Sequence, residues 1–274
     1  MTVPQDTANP MTRTWTIVTG GNRGIGLELC KLLLKAGKPV LLCSRSPENG
    51  REAVAQLIKE SGGHEDTCRS LHLDTSDRSS ISKFVGTIKS SYDQQVGALV
   101  NNAAVMRYDW TKESFDTSYA TNFEGPLQLA EKVAPHIKPG GTVIMVSSSL
   151  GSLKNLSPKY SRTVTEANDL KELSKMPHLH DDPMKNTAMV PCYSLTKAML
   201  NRMTQLFASD PLLTSRNITI NSVCPGWCRT AMGGSQGAHR SAEQGAQSIM
   251  NTLQEASGER PNGGFFRDGQ PLPW

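Results

Sequence analysis

The sequence predicts an α/β fold: a single doubly wound domain with a parallel sheet of about seven strands, helices on both faces, and a helical insertion. Three observations carry this reading. Short apolar runs of four to six residues alternate with stretches whose apolar positions recur at helical spacing. The runs are continuously apolar rather than alternating, as in strands buried on both faces. The first run leads through a glycine-rich turn straight into a helix, the opening of a parallel α/β unit.

Taken in order, Trp15–Val18 is the first strand, Thr19-Gly-Gly-Asn-Arg-Gly-Ile-Gly26 the turn, and Leu27–Leu34 the body of the first helix. Such a turn brings backbone N–H groups and the positive end of a helix dipole up to a pyrophosphate, and glycine permits the close approach. Glycines also end strands for structural reasons alone, so the turn is not decisive by itself. Pro39–Cys43 is the second strand, and Ser46-Pro47-Glu48 starts a helix with a cap, a first-position proline and an early acid. That helix turns Ala53, Leu57 and Ile58 inward and stops near Gly62-Gly63. Arg69–Asp74 is the third strand, with Thr75 or Ser76 capping a helix that runs to Tyr92. Gly97–Asn101 is the fourth strand. A helix containing Tyr119 to Ile137 leads through Pro139-Gly-Gly141 to the fifth strand, Thr142–Val146. Tyr193–Ser209 is a long helix and Ile218–Val223 the sixth strand, while Phe265, Phe266 and Trp274 of the tail pack over the sheet edge.

Two segments break the rhythm. Residues 151–190 are polar and proline-bearing, with a capping box at Thr163-Val-Thr-Glu166 and Leu170, Leu173 and Met176 following on one face. They read as an insertion with its own helix. Residues 230–256 read as a loop rich in glycine (Gly233, Gly234, Gly237), then a Ser241-Ala-Glu-Gln244 capping box and a helix; loops of this kind cover sites. Residues 1–12 are a flexible lead, and 13–274 form one domain.

A chain of 274 residues can bury a sizeable core without metals or disulfides. Its 29 basic and 25 acidic side chains form no long run of like charge, which excludes a nucleic-acid stripe. Six cysteines without CxxC pairs fit reduced thiols in a cytoplasmic compartment. Met1–Pro10 lacks a signal-peptide core, and no apolar run approaches the ~18 residues of a membrane span. No metal is expected: His178-Leu-His-Asp-Asp182 has no partner cluster and reads as a solvated turn, and Cys224 and Cys228 as packing residues. Cys192 reads as a buried thiol beside Tyr193.

Tyr193-Ser-Leu-Thr-Lys197 sets a phenol and an ammonium on one helical face. The cation favours the phenolate, so the tyrosine pKa falls toward a range useful for proton exchange. The alternative is an ordinary tyrosine beside a solvated lysine. Ser147-Ser-Ser149, Asn101-Asn-Ala-Ala104 and Cys224-Pro-Gly-Trp-Cys-Arg-Thr230 all follow the carboxyl ends of strands, where ligands lie in an open parallel sheet. Asn122 sits in mid-helix, where asparagine is poorly suited and therefore has another reason to be present.

In order and spacing, these motifs from Thr14 to Thr230 resemble the short-chain dehydrogenase/reductase family, whose domain is a Rossmann fold. The long gap between the serines and Tyr193, with Cys-Pro-Gly-Trp, resembles its carbonyl reductase branch, which includes plant enzymes acting on terpenoid and alkaloid ketones. The resemblance implies that Tyr193 protonates the substrate oxygen as hydride arrives. It implies that Lys197 lowers the tyrosine pKa and bonds the nicotinamide ribose, that Ser148 polarises the carbonyl, and that Asn122 holds a water linking Lys197 to solvent. An NAD site needs an acid at the end of the second strand, but this strand ends Cys43-Ser44-Arg45. Arg45, with Arg23, suits a 2′-phosphate instead, so the expected cofactor is NADPH/NADP+.

The rest of the cofactor site follows from the same resemblance. Gly20, Asn22, Gly24, Ile25 and Gly26 line the pyrophosphate, and Ser44 lies beside Arg45. Asp74 and Thr75 meet the adenine, and Asn102, Ala103 and Ala104 the adenosine ribose. Pro225, Gly226, Trp227 and Thr230 lie by the nicotinamide. Substrate would meet Ser148 and Tyr193, with Met106, Met189 and Trp227 as walls. The expected function is NADPH-dependent reduction of a small-molecule ketone, aldehyde or quinone by a monomer whose insertion covers the family's usual dimer surface. The alternatives are an alcohol dehydrogenase or ketoreductase of one biosynthetic pathway and a non-catalytic NADPH-binding regulator.

Overall fold

The structure is a computed structural model that describes residues 13–61, 64–179, 181–184, 188–234, 236–254 and 261–274. The expected lead over 1–12 and the helix stop at Gly62-Gly63 lie outside the described residues, as does His180.

The apolar runs become β1 (Trp15–Thr19), β2 (Val40–Ser44), β3 (Cys68–His72), β4 (Val96–Asn101), β5 (Ile137–Val146) and β6 (Thr219–Val223), followed by β7 (Phe265–Arg267) and β8 (Gln270–Pro271). They form one eight-stranded sheet in the order β3-β2-β1-β4-β5-β6-β7-β8. Every neighbouring pair is parallel except β7 with β8. The eighth strand is a two-residue return of the tail. The chain reverses into it through Asp268 at φ 54° and Gly269 at φ 78°, so the tail extends the sheet rather than lying over its edge. Trp274 then stacks on Phe265 at 5.4 Å.

Continuous apolar strands serve two cores because successive side chains point to opposite faces. Ile17, Leu41, Leu99, Val143 and Met145 face one cluster, and Val18, Leu42, Val100, Ile144 and Val146 the other. The second face is covered by α1 (Gly24–Lys35), α2 (Pro47–Ser61) and, near the end of the chain, a helix over Ala242–Gln254. The first face carries α3 (Arg78–Ser91), α4 (Lys112–Tyr119), α5 (Gly125–Val133) and the insertion helices α6 (Pro158–Glu166) and α7 (Leu170–Leu173). It also carries α8 (Pro191–Phe207), followed by the short α9 (Pro211–Ser215); Ala242–Gln254 is therefore α10.

Several element ends differ from the sequence reading, each for a local reason. Asp77, not Thr75 or Ser76, caps α3: its carboxylate accepts from the N–H groups of Ser79 and Ser80. The helical stretch that contains Tyr119 starts after Thr111, whose hydroxyl accepts from the Ser114 N–H, and its α-helical part ends at Val133, short of the expected Ile137. The chain is already extended from Ile137, with Gly140 at φ 75° inside β5. In the insertion Ser157-Pro158 gives a stronger start than Thr163, so Thr163 lies inside α6 and bonds back to the Lys159 carbonyl. Asp169 caps a separate turn, α7. His178 is folded in rather than solvated, its ring 4.8 Å from that of Trp110, and buried Asp182 accepts from Ser157 Oγ at 2.9 Å.

Candidate active site

The strand order reverses at β1 and β4, so their carboxyl ends open a crevice where α/β proteins hold ligands. The glycine turn occupies that point. Gly20 (φ 62°) and Gly24 (φ 57°) take a left-handed backbone that side chains resist. A Cβ on Gly26 would collide with the Gly20 carbonyl and sit 2.6 Å from Asn102 Nδ2. Asn102 is spent on the turn: its amide donates to the carbonyls of Thr19 and Gly20 at 2.9 and 3.2 Å. The Thr19 hydroxyl in return accepts from the N–H groups of Asn102 and Ala103, both at 2.9 Å. The switch point is therefore laced from both sides.

The N-terminus of α1 has no side-chain cap; Arg23 holds the cap position in extended backbone. Its first-turn N–H groups are thus available to an anion, which fits a pyrophosphate. Arg23 and Arg45 are exposed and form no ion pair among the described residues, and no acid stands between them at the end of β2. Ser44 is buried beside Gly50, so Arg45 rather than Ser44 reaches solvent there. The Asp74 carboxylate accepts from the Ser76 N–H and hydroxyl at 2.9 and 2.6 Å, while Thr75 is buried with its carbonyl against Gly125.

On the other side of the crevice, α8 lays Tyr193 and Lys197 next to the end of β5. Lys197 is 2% exposed and donates to the Val146 carbonyl at 2.7 Å. Gly151 permits this packing: a Cβ on it would lie 2.7 Å from the Lys197 carbonyl carbon. The three serines now separate. Ser147 is buried with its hydroxyl toward the Lys197 carbonyl, and Ser149 is exposed with its N–H on the Cys224 thiol. Ser148 bonds the Tyr193 phenol, and its Oγ also accepts the Leu150 N–H at 3.1 Å.

The electrostatics depart from the sequence reading. Lys197 Nζ lies 5.5 Å from the centre of the Tyr193 ring and does not pull the phenol down. Burial pushes the Tyr193 pKa well up, Cys224 adds to the rise, and the Ser148 bond opposes it. The reason lies in Lys197 itself, whose pKa burial brings down to about 7 against a smaller opposing effect of Cys224. Cys192 is fully buried, its thiol pushed up to about 12 by burial and by Asp109, and is poorly suited to modification.

Asn122 lies in a single π-helical turn, Ala120–Glu124, a distortion frequent at functional sites. Its amide is held on both sides: Oδ1 accepts from the Val105 N–H at 2.8 Å, and Nδ2 donates to the Val105 carbonyl at 2.9 Å and the Thr196 hydroxyl at 3.2 Å. It thereby joins the loop after β4, which carries Ala103, Ala104 and Met106, to α8. The partners Val105 and Gly151 were invisible in the sequence because they act through backbone groups or a missing side chain, and Thr196 because its hydroxyl meets a residue 74 positions away.

Beyond β6, buried Pro225 and Gly226 at φ 80° lead into Trp227, which is 54% exposed and donates to the Gly233 carbonyl at 2.8 Å. A Cβ on Gly24 would lie 3.4 Å from the Thr230 methyl, so this loop touches the glycine turn near Ile25. Met189, 84% exposed, stands four residues before Tyr193. Among the described residues no helix is long and apolar enough to cross a membrane.

With this geometry in view, the similarities to known proteins are informative. A family model described as "short chain dehydrogenase" matches residues 14–161. The chain is 28% identical to (+)-neomenthol dehydrogenase of Arabidopsis thaliana, over 93% of this chain and 96% of that protein. It is 31% identical to carbonyl reductase (NADPH) 1 of Rattus norvegicus, over 96% of this chain and 99% of that protein. Among solved structures, salutaridine reductase from Papaver somniferum superposes with a TM-score of 0.78 at 26% identity, covering 93% of this chain and 100% of that one.

The depressed lysine makes a prediction. Its folded pKa of about 7 lies below the ~10.4 of an unfolded lysine, so between those values the unfolded chain binds more protons and stability rises with pH. In urea unfolding from pH 7 to 9.5, wild type should gain stability relative to Lys197→Met, by up to about 1.4 kcal/mol per pH unit. A gap that stays constant over that range contradicts the assignment.

Proposed function

Because the chain belongs to the short-chain dehydrogenase family, we propose that it uses NADPH to reduce a ketone, aldehyde or quinone carbonyl to an alcohol. The observation that carries this reading is the Tyr193 phenol, bonded to Ser148 and flanked by buried Lys197 at the mouth of the crevice. When bound, NADPH supplies the hydride. The uncapped start of α1 would hold its pyrophosphate, and Arg23 and Arg45 its 2′-phosphate, through charge-assisted bonds. The absence of an acid at the end of β2 favours NADPH over NADH.

The chain's own groups divide the remaining work. Ser148 Oγ accepts the Leu150 N–H, and its own O–H, which faces Tyr193, would turn to donate to the substrate oxygen. Tyr193 gives that oxygen its proton. Burial holds the phenol above its ordinary pKa, so it carries its proton at neutral pH and has one to give. Lys197, with a pKa of about 7, is as ready to give a proton as to take one and would reload the phenol. Asn122 acts by holding the loop after β4 against α8 through its bonds to Val105 and Thr196.

A narrower version, an enzyme dedicated to one cyclic ketone, is supported by the similarity to neomenthol dehydrogenase and salutaridine reductase. Six unpaired, buried thiols fit a reducing, cytoplasmic setting. A monomer is also part of the proposal. The insertion packs Tyr160, Val164, Leu173 and Met176 into the same core as α8, which leaves little of that helix for a second subunit.

Wild type should consume NADPH with some members of a panel of cyclic ketones, quinones and aromatic aldehydes. Tyr193→Phe should lower that turnover roughly 100-fold or more while NADPH affinity stays within about twofold; undiminished turnover removes the role given to Tyr193. Arg45→Asp should weaken NADPH far more than NADH in binding titrations, and equal weakening overturns the 2′-phosphate argument. Light scattering at micromolar concentration should give the mass of one chain, and a dimer or tetramer contradicts the covered-surface argument.

A further inference from the structure

The loop between β6 and α10 leaves the sheet at Pro225 and returns at Arg240. Its neck is closed on itself: Cys228 and Arg240 form a bridge, the Arg229 N–H donates to the Arg240 carbonyl at 2.9 Å, and the Arg240 N–H donates to the Trp227 carbonyl at 3.2 Å. Inside, the Trp227 indole donates to Gly233, its ring packs on Gly237 and His239, and Arg229 donates to the Ala238 carbonyl at 3.1 Å. The loop is a small folded pad. Among the described residues, its nitrogen and oxygen hydrogen bonds to the rest of the chain run through the Arg240 side chain.

That side chain has a specific seat. Its stem crosses Gly226, where a Cβ would collide with Arg240 Cδ. Its guanidinium then grips Asp268 with two bonds of 2.8 and 2.7 Å and donates to the Gln244 carbonyl at 2.9 Å. Asp268 lies in the β7–β8 turn, and its N–H donates to Ser248 Oγ at 2.7 Å, so it is fixed on α10. The far flank of the pad meets the glycine turn through Thr230.

We propose that Arg240 and Asp268 form a latch that sets the position of Gly226–Thr230 against the crevice, making both of them positioning residues for cofactor and substrate. The inference rests on the reductase reading above. A bidentate arginine–carboxylate pair is the geometry in which an ion pair fixes orientation as well as distance. The groups proposed to react stand just after β5 and on α8, and among the described residues the hydrogen bonds of the Arg240 side chain go to Asp268 and Gln244 instead. Opening it should loosen binding and leave chemistry nearly unchanged.

Asp268→Asn keeps the shape and removes the charge. It should raise KM for the carbonyl substrate about tenfold, with kcat within about twofold. Trypsin cleavage at Arg229, followed without substrate or cofactor, should accelerate several-fold. The reversed pair, Arg240→Asp with Asp268→Arg, should recover most of both losses. A lowered melting temperature with wild-type KM and wild-type cleavage would mean a merely structural pair, and a reversed pair no better than the single variant would also overturn the latch. If wild type shows no NADPH turnover at all, the reductase reading fails, and the trypsin arm still decides the latch.

Discussion

The hydrogen bond from the buried Lys197 ammonium to the Val146 carbonyl is the constraint on which the crevice depends. Few places in a protein can accept a buried amine, because an unpaired one is expensive to desolvate. The end of a parallel strand is one, since its last carbonyl has no further strand partner. This acceptor holds α8 against the end of β5. The approach is close enough that only glycine fits at position 151. Once α8 is held there, Tyr193 stands over Ser148 as a consequence. The same burial lowers the lysine and raises the phenol, so a pair that looks from its spacing like an ammonium activating a phenolate is instead a protonated phenol beside an amine that exchanges its proton near pH 7.

The remaining walls are fixed by polar side chains that serve backbone rather than ligand. Asn102 and Thr19 stitch β4 to the glycine turn, and Asn122 stitches the following loop to α8. Each is an amide or hydroxyl placed where two chain segments would otherwise leave N–H and carbonyl groups without partners. Gly24 and Thr230 then bring the glycine turn and the loop after β6 into contact. The crevice is thus bounded by elements that are each tied to a different strand end.

The fold and the chemical groups were legible because both are local. Leu41, Leu42 and Cys43 in a row can only be a strand buried on both faces, and the Ser241–Gln244 capping box forms reciprocally as its residues suggest. The insertion was less legible. Thr163 offered a capping signal, but Ser157-Pro158 lies six residues earlier and starts the helix first. The tail was misread for another reason: Phe265 and Phe266 are apolar whether they lie over an edge or extend it. Pairing with β6 is a property of two segments together.

The sequence by itself determined the doubly wound sheet, the glycine turn at its switch point, the arginines at positions 23 and 45, and the presence of Tyr193, Lys197 and a serine run at strand ends. These follow from period, spacing and residue type, which are properties of short stretches. Only the tertiary structure decided which serine faces the phenol, that Asn102 serves the glycine turn and Asn122 the Val105 backbone and Thr196, and that burial brings the Lys197 pKa down to about 7. It alone brought Arg240 to Asp268. Those outcomes depend on burial and on partners from 17 to 83 residues away, and both arise only when strands and helices have been packed.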